Sequence, residues 1–378
     1  MGEEGSSIHE RVSEEFPSTI RVAEAMAPDH TDTKRRTMTT IHYQPIKSLV
    51  DRHQTNAFYI VDENALPEST RFPQAKSIIL KNVTERNKNL DHVTRIIEQM
   101  LEMDVDRGST LVGVGGGITT DIVGFIASIY NRGMNRLVLV PTTLLGMIDA
   151  AIGGKNGVNF NRLKNYVGTF RNPDEIYIDY TFLDSLPKKH IDNSLGEIIK
   201  YNLLGVDVPI STNPMEVVPK CVEYKQRITN SDFHDSGDRR LLNFGHTMGH
   251  AFESLSDMSS HGFFVLLGLF LELQFSKYQK KSTSEKFLNF IDRKSSEIKD
   301  LLLNVFPDEM AEIKGMKMAD VCDRVILDKK RSSGLIGMPL LDIDCVVRIE
   351  EVKVVDLIHF LCVKEDPFSH LGEIPDRF

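Results

Sequence analysis

Three histidines in the segment RRLLNFGHTMGHAFESLSDMSSHG have the spacing of a metal site. His246 and His250 are four residues apart, so both imidazoles project from one face if the segment is a helix. His261 follows a short polar turn that could fold back onto that face. Imidazole is the commonest metal ligand among side chains, and two imidazoles with one carboxylate and an open position form a catalytic zinc site. The segment therefore predicts metal-assisted chemistry, provided that the chain supplies a carboxylate.

The segment SLGEIIKY offers that carboxylate. Glu197 and Lys200 are three residues apart and share one face of a helix, where a surface ion pair is the simplest interpretation. The flanking residues Ile198, Ile199 and Tyr201 instead favour a partly buried helix. A buried carboxylate needs a partner, and a metal held with two imidazoles would be one. The helix lacks the glutamate of an HExxH motif, which argues against a zincin protease.

A run of glycines follows one of the predicted strands. Gly115–Gly117 opens a helix that contains Asp121, and the free N–H groups at such a helix start can bind a pyrophosphate. The spacing is not GxGxxG, and a tight turn that requires positive φ would explain the glycines equally well. Asp62, at the end of the first predicted strand, could accept ribose hydroxyls or could be a solvated turn residue.

The elements that must position these residues change in character along the chain. From His42 onward, buried strands alternate with amphipathic helices, which predicts a mostly parallel sheet covered on both faces. After about Pro187 the apolar spacing is helical, with a short β excursion near the C-terminus. Residues 1–36 are polar and acidic, and we expect a mobile tail there.

Composition limits the classes of function. The net charge of −9 argues against a general nucleic-acid binder, and no apolar run reaches the roughly 18 residues of a membrane span. The N-terminal segment lacks the apolar stretch that a secretory signal would contain. The four cysteines are far apart and form no CxxC motif, so we expect free thiols in a reducing, cytoplasmic compartment.

Several motifs in a fixed order carry a family resemblance. Between roughly residues 55 and 345 the chain resembles the dehydroquinate synthase family of sugar phosphate cyclases. The resemblance implies a Rossmann-like NAD-binding α/β domain over 37–187, a mostly α-helical metal- and substrate-binding domain over 188–378, an active site between them, and a homodimer. The motifs are GGGITTD, RG at 132–133, VPTTLLGMIDAAIGGKNGVNF, KNYVGTF, LGEIIKY, RRLLNFGHTMGHAFE, HG at 261–262 and DKK at 328–330.

The resemblance also implies a role for individual residues. Glu197, His246 and His261 match ligands of a divalent metal, usually zinc, with cobalt as an alternative. The positions that match NAD contacts are Asp62, Asn64, Glu85, Lys88, Gly115, Gly116, Gly117, Asp121, Thr142, Thr143, Lys155, Lys164, Phe182 and Ser185. The positions that match substrate and catalytic residues are Asp149, Lys155, Asn165, Lys200, Lys225, Arg239, Asn243 and His250, with Lys164 beside them. Arg132 matches a basic residue that reaches the neighbouring subunit's phosphate site. Lys330 matches a residue that does similar work, with its neighbour Lys329 as the alternative.

The family reaction explains these residue types. A ring hydroxyl is oxidised with NAD, phosphate is eliminated, the ketone is reduced again, and the opened ring closes to a carbocycle, so the net reaction is that of a lyase. The implied substrate is a phosphorylated seven-carbon sugar acid, DAHP, which becomes 3-dehydroquinate in the shikimate pathway of aromatic amino acid biosynthesis.

Substrate choice within the family depends on a carboxylate. Lys225 and Arg239 match the positions that hold it, which favours 3-dehydroquinate synthase. A cyclase of sedoheptulose 7-phosphate, such as a 2-epi-5-epi-valiolone synthase, or another specialised cyclase remains the alternative, since Phe263 and Phe264 replace the usual Glu-Ala after His261-Gly262. A metal-dependent alcohol dehydrogenase is the more distant alternative, but it would not need the lysine and arginine cluster.

Overall fold

The computed structural model describes residues 38–52, 56–65, 76–161, 163–258, 260–329 and 334–362, and the backbone of Thr19–Ile20. These residues form two compact units. The first lies within Met1–Ile191 and Val222–His234, and the second within Asp192–Cys221 and Asp235–Phe378. The expected tail over 1–36 lies almost wholly outside the described residues, and the expected domain boundary at 187 stays a prediction.

The first unit is built on a seven-stranded sheet with the order β1-β2-β9-β6-β5-β3-β4. All neighbours are parallel except β1 and β2. Every residue of β3, β5 and β9 is buried, as expected for parallel strands covered on both faces. The strands are β1 (Thr19–Ile20), β2 (Thr40–Tyr43), β3 (Ala57–Asp62), β4 (Ser77–Leu80), β5 (Thr110–Gly115), β6 (Arg136–Pro141) and β9 (Glu175–Ile178).

Helices and a hairpin complete this unit. Helix α2 begins at the N-cap Asn89, whose side chain accepts a hydrogen bond from the backbone N–H of His92. Its buried residues Val93, Ile96 and Met100 recur at helical spacing and form its apolar face. The elements are α1 (Ile46–Arg52), α2 (Leu90–Glu102), α3 (Gly117–Ile129), the antiparallel hairpin of β7 (Lys155–Phe160) and β8 (Leu163–Phe170), and a 3-10 turn at Tyr180–Leu183.

The strand order of this unit reverses between β3 and β5. The chain passes from β3 to its neighbour β4 and then returns to β5 on the other side of β3. In open parallel sheets, ligands bind outside the carboxyl ends of the strands at such a reversal. Asp62 ends β3 and Gly115 ends β5, so both candidate cofactor residues lie at this position.

The second unit is mostly α-helical. The predicted combination of a Rossmann-like α/β unit and a largely helical unit with one short hairpin is confirmed. Helix α6 contributes to both units. The elements are α4 (Lys188–Asp192), α5 (Leu195–Leu203), α6 (Pro214–Ser231), a 3-10 turn (Asp238–Asn243), α7 (His246–Glu253), α8 (His261–Lys280), α9 (Glu285–Val305), α10 (Pro307–Lys314), α11 (Met318–Lys329), β10 (Leu335–Leu341), β11 (Val347–Lys353) and α12 (Val354–Cys362).

Helix α8 is the centre of the second unit. Its residues from Gly262 to Leu273 are all buried, and the apolar side chains among them belong to one core with residues of α5, α7, α9 and α12. A helix that is apolar on all sides must be surrounded by other elements, which explains its position. Among the described residues, no helix combines the length and apolarity that crossing a membrane requires.

The expectation of four free cysteines is wrong for one pair. Cys322 on α11 and Cys362 at the end of α12 form a disulfide across 40 residues of sequence, and Cys221 and Cys345 are not part of a disulfide. Sequence spacing could not reveal this pair, because the contact arises only when α12 packs against α11.

Candidate metal and dinucleotide sites

Glu197 meets two imidazoles in the second unit. Its Oε1 lies 3.4 Å from Nε2 of His246 and 3.5 Å from Nε2 of His261. The carboxylate is completely buried, and Lys200 forms an ion pair with its other oxygen. The structure therefore brings together the three residues that the sequence suggested as metal ligands, although Glu197 and His261 are 64 residues apart in the sequence.

Glycines allow the three helices of this cluster to approach closely. A Cβ on Gly196 of α5 would lie 2.1 Å from the carbonyl oxygen of Gly262 on α8. A Cβ on Gly249 of α7 would lie 2.4 Å from the carbonyl oxygen of Phe264. Any side chain at these positions would push the helices apart. The glycines therefore determine how closely Glu197 and the two imidazoles can lie.

A buried glutamate on α8 holds the start of α7. Glu272 is completely buried and accepts hydrogen bonds from the backbone N–H groups of Gly245, at 2.7 Å, and Met248, at 3.1 Å. Two N–H groups that begin the helix of His246 are thus satisfied by a negative charge at the positive end of the helix dipole. In the sequence, the only signal for this role is that Glu272 interrupts an otherwise apolar segment.

The imidazoles of this cluster have opposite pKa shifts. Burial lowers the pKa of His246 well below its ordinary value, and the neighbouring Lys200 ammonium adds to the effect. Burial acts in the same direction on His261, but the carboxylates of Glu253 and Glu197 outweigh it and raise the pKa to about 10. Without a bound cation, His261 therefore carries the positive charge that the buried carboxylates need.

The three side chains fit a divalent metal. Tetrahedral coordination with bonds of roughly 2.0–2.1 Å places ligand atoms about 3.4 Å apart, which is close to the distances between Glu197 and each histidine. Neither buried oxygen of Glu197 accepts a hydrogen bond of good geometry from the described residues. A cation would satisfy this carboxylate, and two imidazoles with one carboxylate is a set of ligands that zinc and cobalt accept.

Three other predicted active-site residues lie in the second unit, namely His250, Arg239 and Asn243. The ring of His250 lies 5.0 Å from that of His246 and 5.9 Å from that of His261, centroid to centroid. Its side chain is 54% exposed and thus accessible to a substrate. Arg239 is 3% exposed, whereas a solvated residue at the start of a helix would be open to water. Asn243 ends the same 3-10 turn.

In the first unit, the glycine turn is shaped by close contacts. Gly116 is the N-cap of α3 and has φ −72°, and none of Gly115–Gly117 has positive φ. A Cβ on Gly115 would lie 2.6 Å from Thr119, and one on Gly117 would lie 3.1 Å from Ala150. The alternative of a turn that needs positive φ is therefore wrong. The N-cap is a glycine, so it offers no side-chain acceptor to the first N–H groups of α3.

Further predicted cofactor residues lie at the carboxyl ends of neighbouring strands. Asp62 accepts hydrogen bonds from the backbone and side-chain amide of Asn64, and burial raises the pKa of its carboxyl group. Thr142 follows β6, and its N–H donates to the carbonyl of Gly115 at 3.0 Å. Thr143 accepts a hydrogen bond from the N–H of Gly146. A 3-10 turn contains the buried Phe182, and Ser185 follows it and is exposed.

A lysine connects several of the predicted residues in this unit. Lys88 is 4% exposed, and its Nζ lies 2.5 Å from Asp121 Oδ2 and 2.5 Å from Asn165 Oδ1. Burial raises the pKa of Asp121, and Lys88 opposes that shift. Glu85 accepts a hydrogen bond from the side chain of Asn159, on the hairpin strand β7. The hairpin and the turn before α2 are thus joined through polar side chains.

A second lysine, Lys225, forms an ion pair with Asp149, which lies between β6 and β7. Nζ of Lys225 lies 2.6 Å from Oδ1 and 2.7 Å from the carbonyl oxygen of Asp149. Lys155 and Lys164 are exposed on β7 and β8. Arg132 is exposed, with φ 64° in a turn. Lys330 lies outside the described residues, so its predicted role is not addressed by the structure.

Similarity to solved structures identifies the class of fold. A crystal structure of 2-deoxy-scyllo-inosose synthase complexed with carbaglucose-6-phosphate, NAD+ and Co2+ aligns with a TM-score of 0.70 at 20% sequence identity. The alignment covers 85% of this chain and 96% of that chain. The chain therefore has the fold of a sugar phosphate cyclase.

Sequence comparison identifies the family. The family models described as 3-dehydroquinate synthase N-terminal and C-terminal match residues 78–193 and 194–331. A 3-dehydroquinate synthase of Alkaliphilus metalliredigens is 36% identical over 277 residues, which are 68% of this chain and 73% of that protein. A 3-dehydroquinate synthase of Pyrococcus furiosus is 46% identical over half of this chain, and the match spans 59% of that protein's length. The chain belongs to the 3-dehydroquinate synthase family.

Proposed function

We propose that the protein is an NAD- and metal-dependent sugar phosphate cyclase that converts DAHP to 3-dehydroquinate and phosphate. The observation that carries this proposal is the convergence of Glu197, His246 and His261 in a chain that belongs to this family. Both curated relatives bear the name of that activity. The match covers only part of the Pyrococcus protein, so the activity rests on this site as well as on the resemblance.

The metal site is assigned to the second unit. Glu197, His246 and His261 would hold the ion, and a bound divalent cation supplies a Lewis acid that stabilises negative charge developing on a substrate oxygen. Lys200, at 1% exposed, neutralises the carboxylate oxygen that faces away from the imidazoles. His250 is the exposed imidazole next to the cluster, and we assign it to proton transfer. Zinc is the proposed metal, and the related cyclase solved with Co2+ makes cobalt a useful substitute.

The dinucleotide site is assigned to the first unit. NAD, when bound, accepts a hydride from the carbon that bears a substrate hydroxyl and later returns it, so it ends the reaction unchanged. The N–H groups at the start of α3 would bind its pyrophosphate, and Asp62 would accept the ribose hydroxyls. The other residues proposed for this site are Asn64, Glu85, Lys88, Asp121, Thr142, Thr143, Lys155, Lys164, Phe182 and Ser185.

The substrate is proposed to be a phosphorylated seven-carbon sugar acid. Arg239 and Lys225 are assigned to its carboxylate, because a guanidinium binds a carboxylate through two parallel hydrogen bonds. Asp149, which pairs with Lys225, is proposed to orient a substrate hydroxyl. Asn165, Asn243 and Lys330 are proposed to contact the same substrate. We further propose a cytoplasmic homodimer in which Arg132 reaches the partner subunit's phosphate site.

A phosphate-release assay tests this function. Purified protein with NAD and Zn2+ should release inorganic phosphate from DAHP without net formation of NADH. Sedoheptulose 7-phosphate is the comparison substrate, since it lacks the carboxylate. Faster turnover of sedoheptulose 7-phosphate would show a different cyclase, and accumulation of NADH without phosphate release would show a dehydrogenase.

A further inference from the structure

The imidazole of His261 lies between two buried carboxylates. Its Nε2 faces Oε1 of Glu197 at 3.5 Å, and its Nδ1 faces Oε1 of Glu253 at 3.5 Å. The two ring nitrogens thus have different acidic neighbours on opposite sides. The carboxylates come from different helices, because Glu197 lies on α5 and Glu253 is the last residue of α7.

The position of Glu253 suits a hydrogen-bond acceptor better than a substrate contact. Its side chain is 5% exposed, so it has little access to a ligand in solution. Its second oxygen, Oε2, lies 3.8 Å from Nε2 of His250. One carboxylate is therefore adjacent to both the proposed ligand His261 and the exposed imidazole that follows His246 by one turn.

The protonation of His261 follows from this arrangement. A neutral imidazole carries its single proton on one nitrogen, and the nitrogen that binds a metal must offer a lone pair. When Nε2, which points toward Glu197, binds a metal, the one remaining proton of the ring must be on Nδ1. A buried N–H needs an acceptor, and the Glu253 carboxylate is the group that faces Nδ1.

We propose that Glu253 is a positioning residue for the metal centre, which accepts a hydrogen bond from Nδ1–H of His261 and keeps the lone pair of Nε2 directed at the ion. This inference rests on the proposed function, because it needs a metal at Glu197, His246 and His261. Hydrogen bonds of this kind to a ligating histidine fix the ring orientation and raise its basicity, and their loss typically costs about 10–100-fold in metal affinity.

Two substitutions separate the role of the acceptor from that of the charge. Glu253→Leu replaces the carboxylate with an apolar side chain of similar size that cannot accept a hydrogen bond. Glu253→Gln removes the charge but retains one carbonyl oxygen that can face Nδ1. Glu350→Gln is the matched control, since Glu350 is a glutamate of the same unit that pairs with Lys280. Circular dichroism and thermal unfolding would establish that each variant is folded.

Cobalt titration of the apoprotein supplies the readout, through the visible absorption of bound Co2+. We expect the Leu variant to bind about 10–100-fold more weakly, the Gln variant to retain most of the affinity, and the control to match the wild type. In zinc-loaded wild type, nitrogen-15 NMR of the histidines should show His261 protonated at Nδ1. Unchanged affinity in the Leu variant, or a His261 proton on Nε2, would overturn the inference.

The design distinguishes the inference from the function beneath it. If the wild type binds no metal at all, the proposed function fails; if it binds one equivalent and the Leu variant binds equally well, only the role of Glu253 fails. His250, Glu253 and His261 also have ligand atoms within 4.8 Å of one another. Binding of two equivalents of cobalt, with the second lost in both Glu253 variants, would make Glu253 a ligand and would also overturn the inference.

Discussion

Glu197 holds a carboxylate in complete isolation from solvent, and its neighbours explain how the protein tolerates it. The Lys200 ammonium lies on one side and two imidazoles lie on the other. Burying an unpaired carboxylate would be prohibitive, so the site must always hold compensating positive charge. In the metal-free protein the protonated His261 supplies part of it, and a divalent cation would replace that proton.

Removing one imidazole should therefore remove the metal as well as the activity. We expect His246→Ala to lose at least about 100-fold in zinc affinity, which is more than the loss of a hydrogen bond to a metal ligand costs. The variant should also release no phosphate from DAHP above background. Metal content by atomic emission after dialysis, measured beside the phosphate assay, checks this. Retention of stoichiometric zinc would contradict the assignment of His246 as a ligand. His234→Ala, in the first unit, is the control.

Arg239 provides a test of substrate choice at the level of a single side chain. Loss of a charge-assisted hydrogen bond costs about 1.5–3 kcal/mol, so Arg239→Gln should raise KM for DAHP by about 10–150-fold. Activity on sedoheptulose 7-phosphate should change much less, because that sugar lacks the carboxylate. Arg240→Gln is a close control, since the Arg240 guanidinium donates to the carbonyl oxygen of Gly337. Equal losses on both substrates would remove the carboxylate assignment.

At the scale of elements, the metal cluster depends on how α7 and α8 are joined. His246 begins α7 and His261 begins α8, and Glu272 of α8 reaches back to the first turn of α7. Gly245 precedes α7 with φ 81°, a conformation that only glycine adopts readily, and this places its N–H toward Glu272. The junction of the two helices therefore sets the separation of two ligands.

Substitution of Glu272 should weaken the fold and the metal site together. Glu272→Ala leaves two buried N–H groups without their acceptor, and we expect a loss of about 2–4 kcal/mol in the free energy of unfolding. Urea titration of the metal-free protein measures it. Glu285→Ala, an exposed glutamate in the first turn of α9, should change stability by less than about 1 kcal/mol. A Glu272 variant as stable as the wild type would show that the N–H groups find other acceptors.

The sequence predicted the type of these elements better than their contacts. Alternating strands and helices predicted the parallel sheet, because burial on both faces leaves continuous apolar strands such as Ala57–Asp62. Spacing on one helix predicted that Glu197 shares a face with Lys200. The role of Glu272 and the pairing of Cys322 with Cys362 depend on helix packing over long sequence distances, and no local pattern encodes them. The segment Gly115–Gly117 was predicted correctly as a strand-to-helix turn. Glycine is required there because neighbouring side chains pack closely, and not because the backbone has positive φ.

At the scale of the whole molecule, one buried carboxylate connects three strands of the sheet. Glu175 begins β9, and its side chain is 6% exposed. His42 of β2 lies 2.9 Å from its Oε2, the Tyr177 hydroxyl donates to the same oxygen at 3.0 Å, and Arg136 of β6 pairs with Oε1. Since β2 and β6 both flank β9, this network joins neighbouring strands near one edge of the sheet.

This network should make the stability of the protein fall in acid. Burial acts to raise the pKa of Glu175, but hydrogen bonds from His42 and Arg136 outweigh it and hold the pKa well below its usual range. A carboxyl group whose pKa is lower in the folded protein than in the unfolded chain stabilises the fold at pH values above its unfolded pKa of about 4.3. This contribution is lost as the pH falls below that pKa.

We expect Glu175→Gln to cost about 3–5 kcal/mol in the free energy of unfolding at pH 7, as breaking a buried ion pair does, and less at pH 3 to 4. Urea unfolding from pH 7 to pH 3 measures the difference, with the more exposed Glu350→Gln expected to change stability by less than about 1 kcal/mol throughout. A constant gap between Glu175→Gln and wild type across this range would show that Glu175 stabilises the sheet by shape and not by charge.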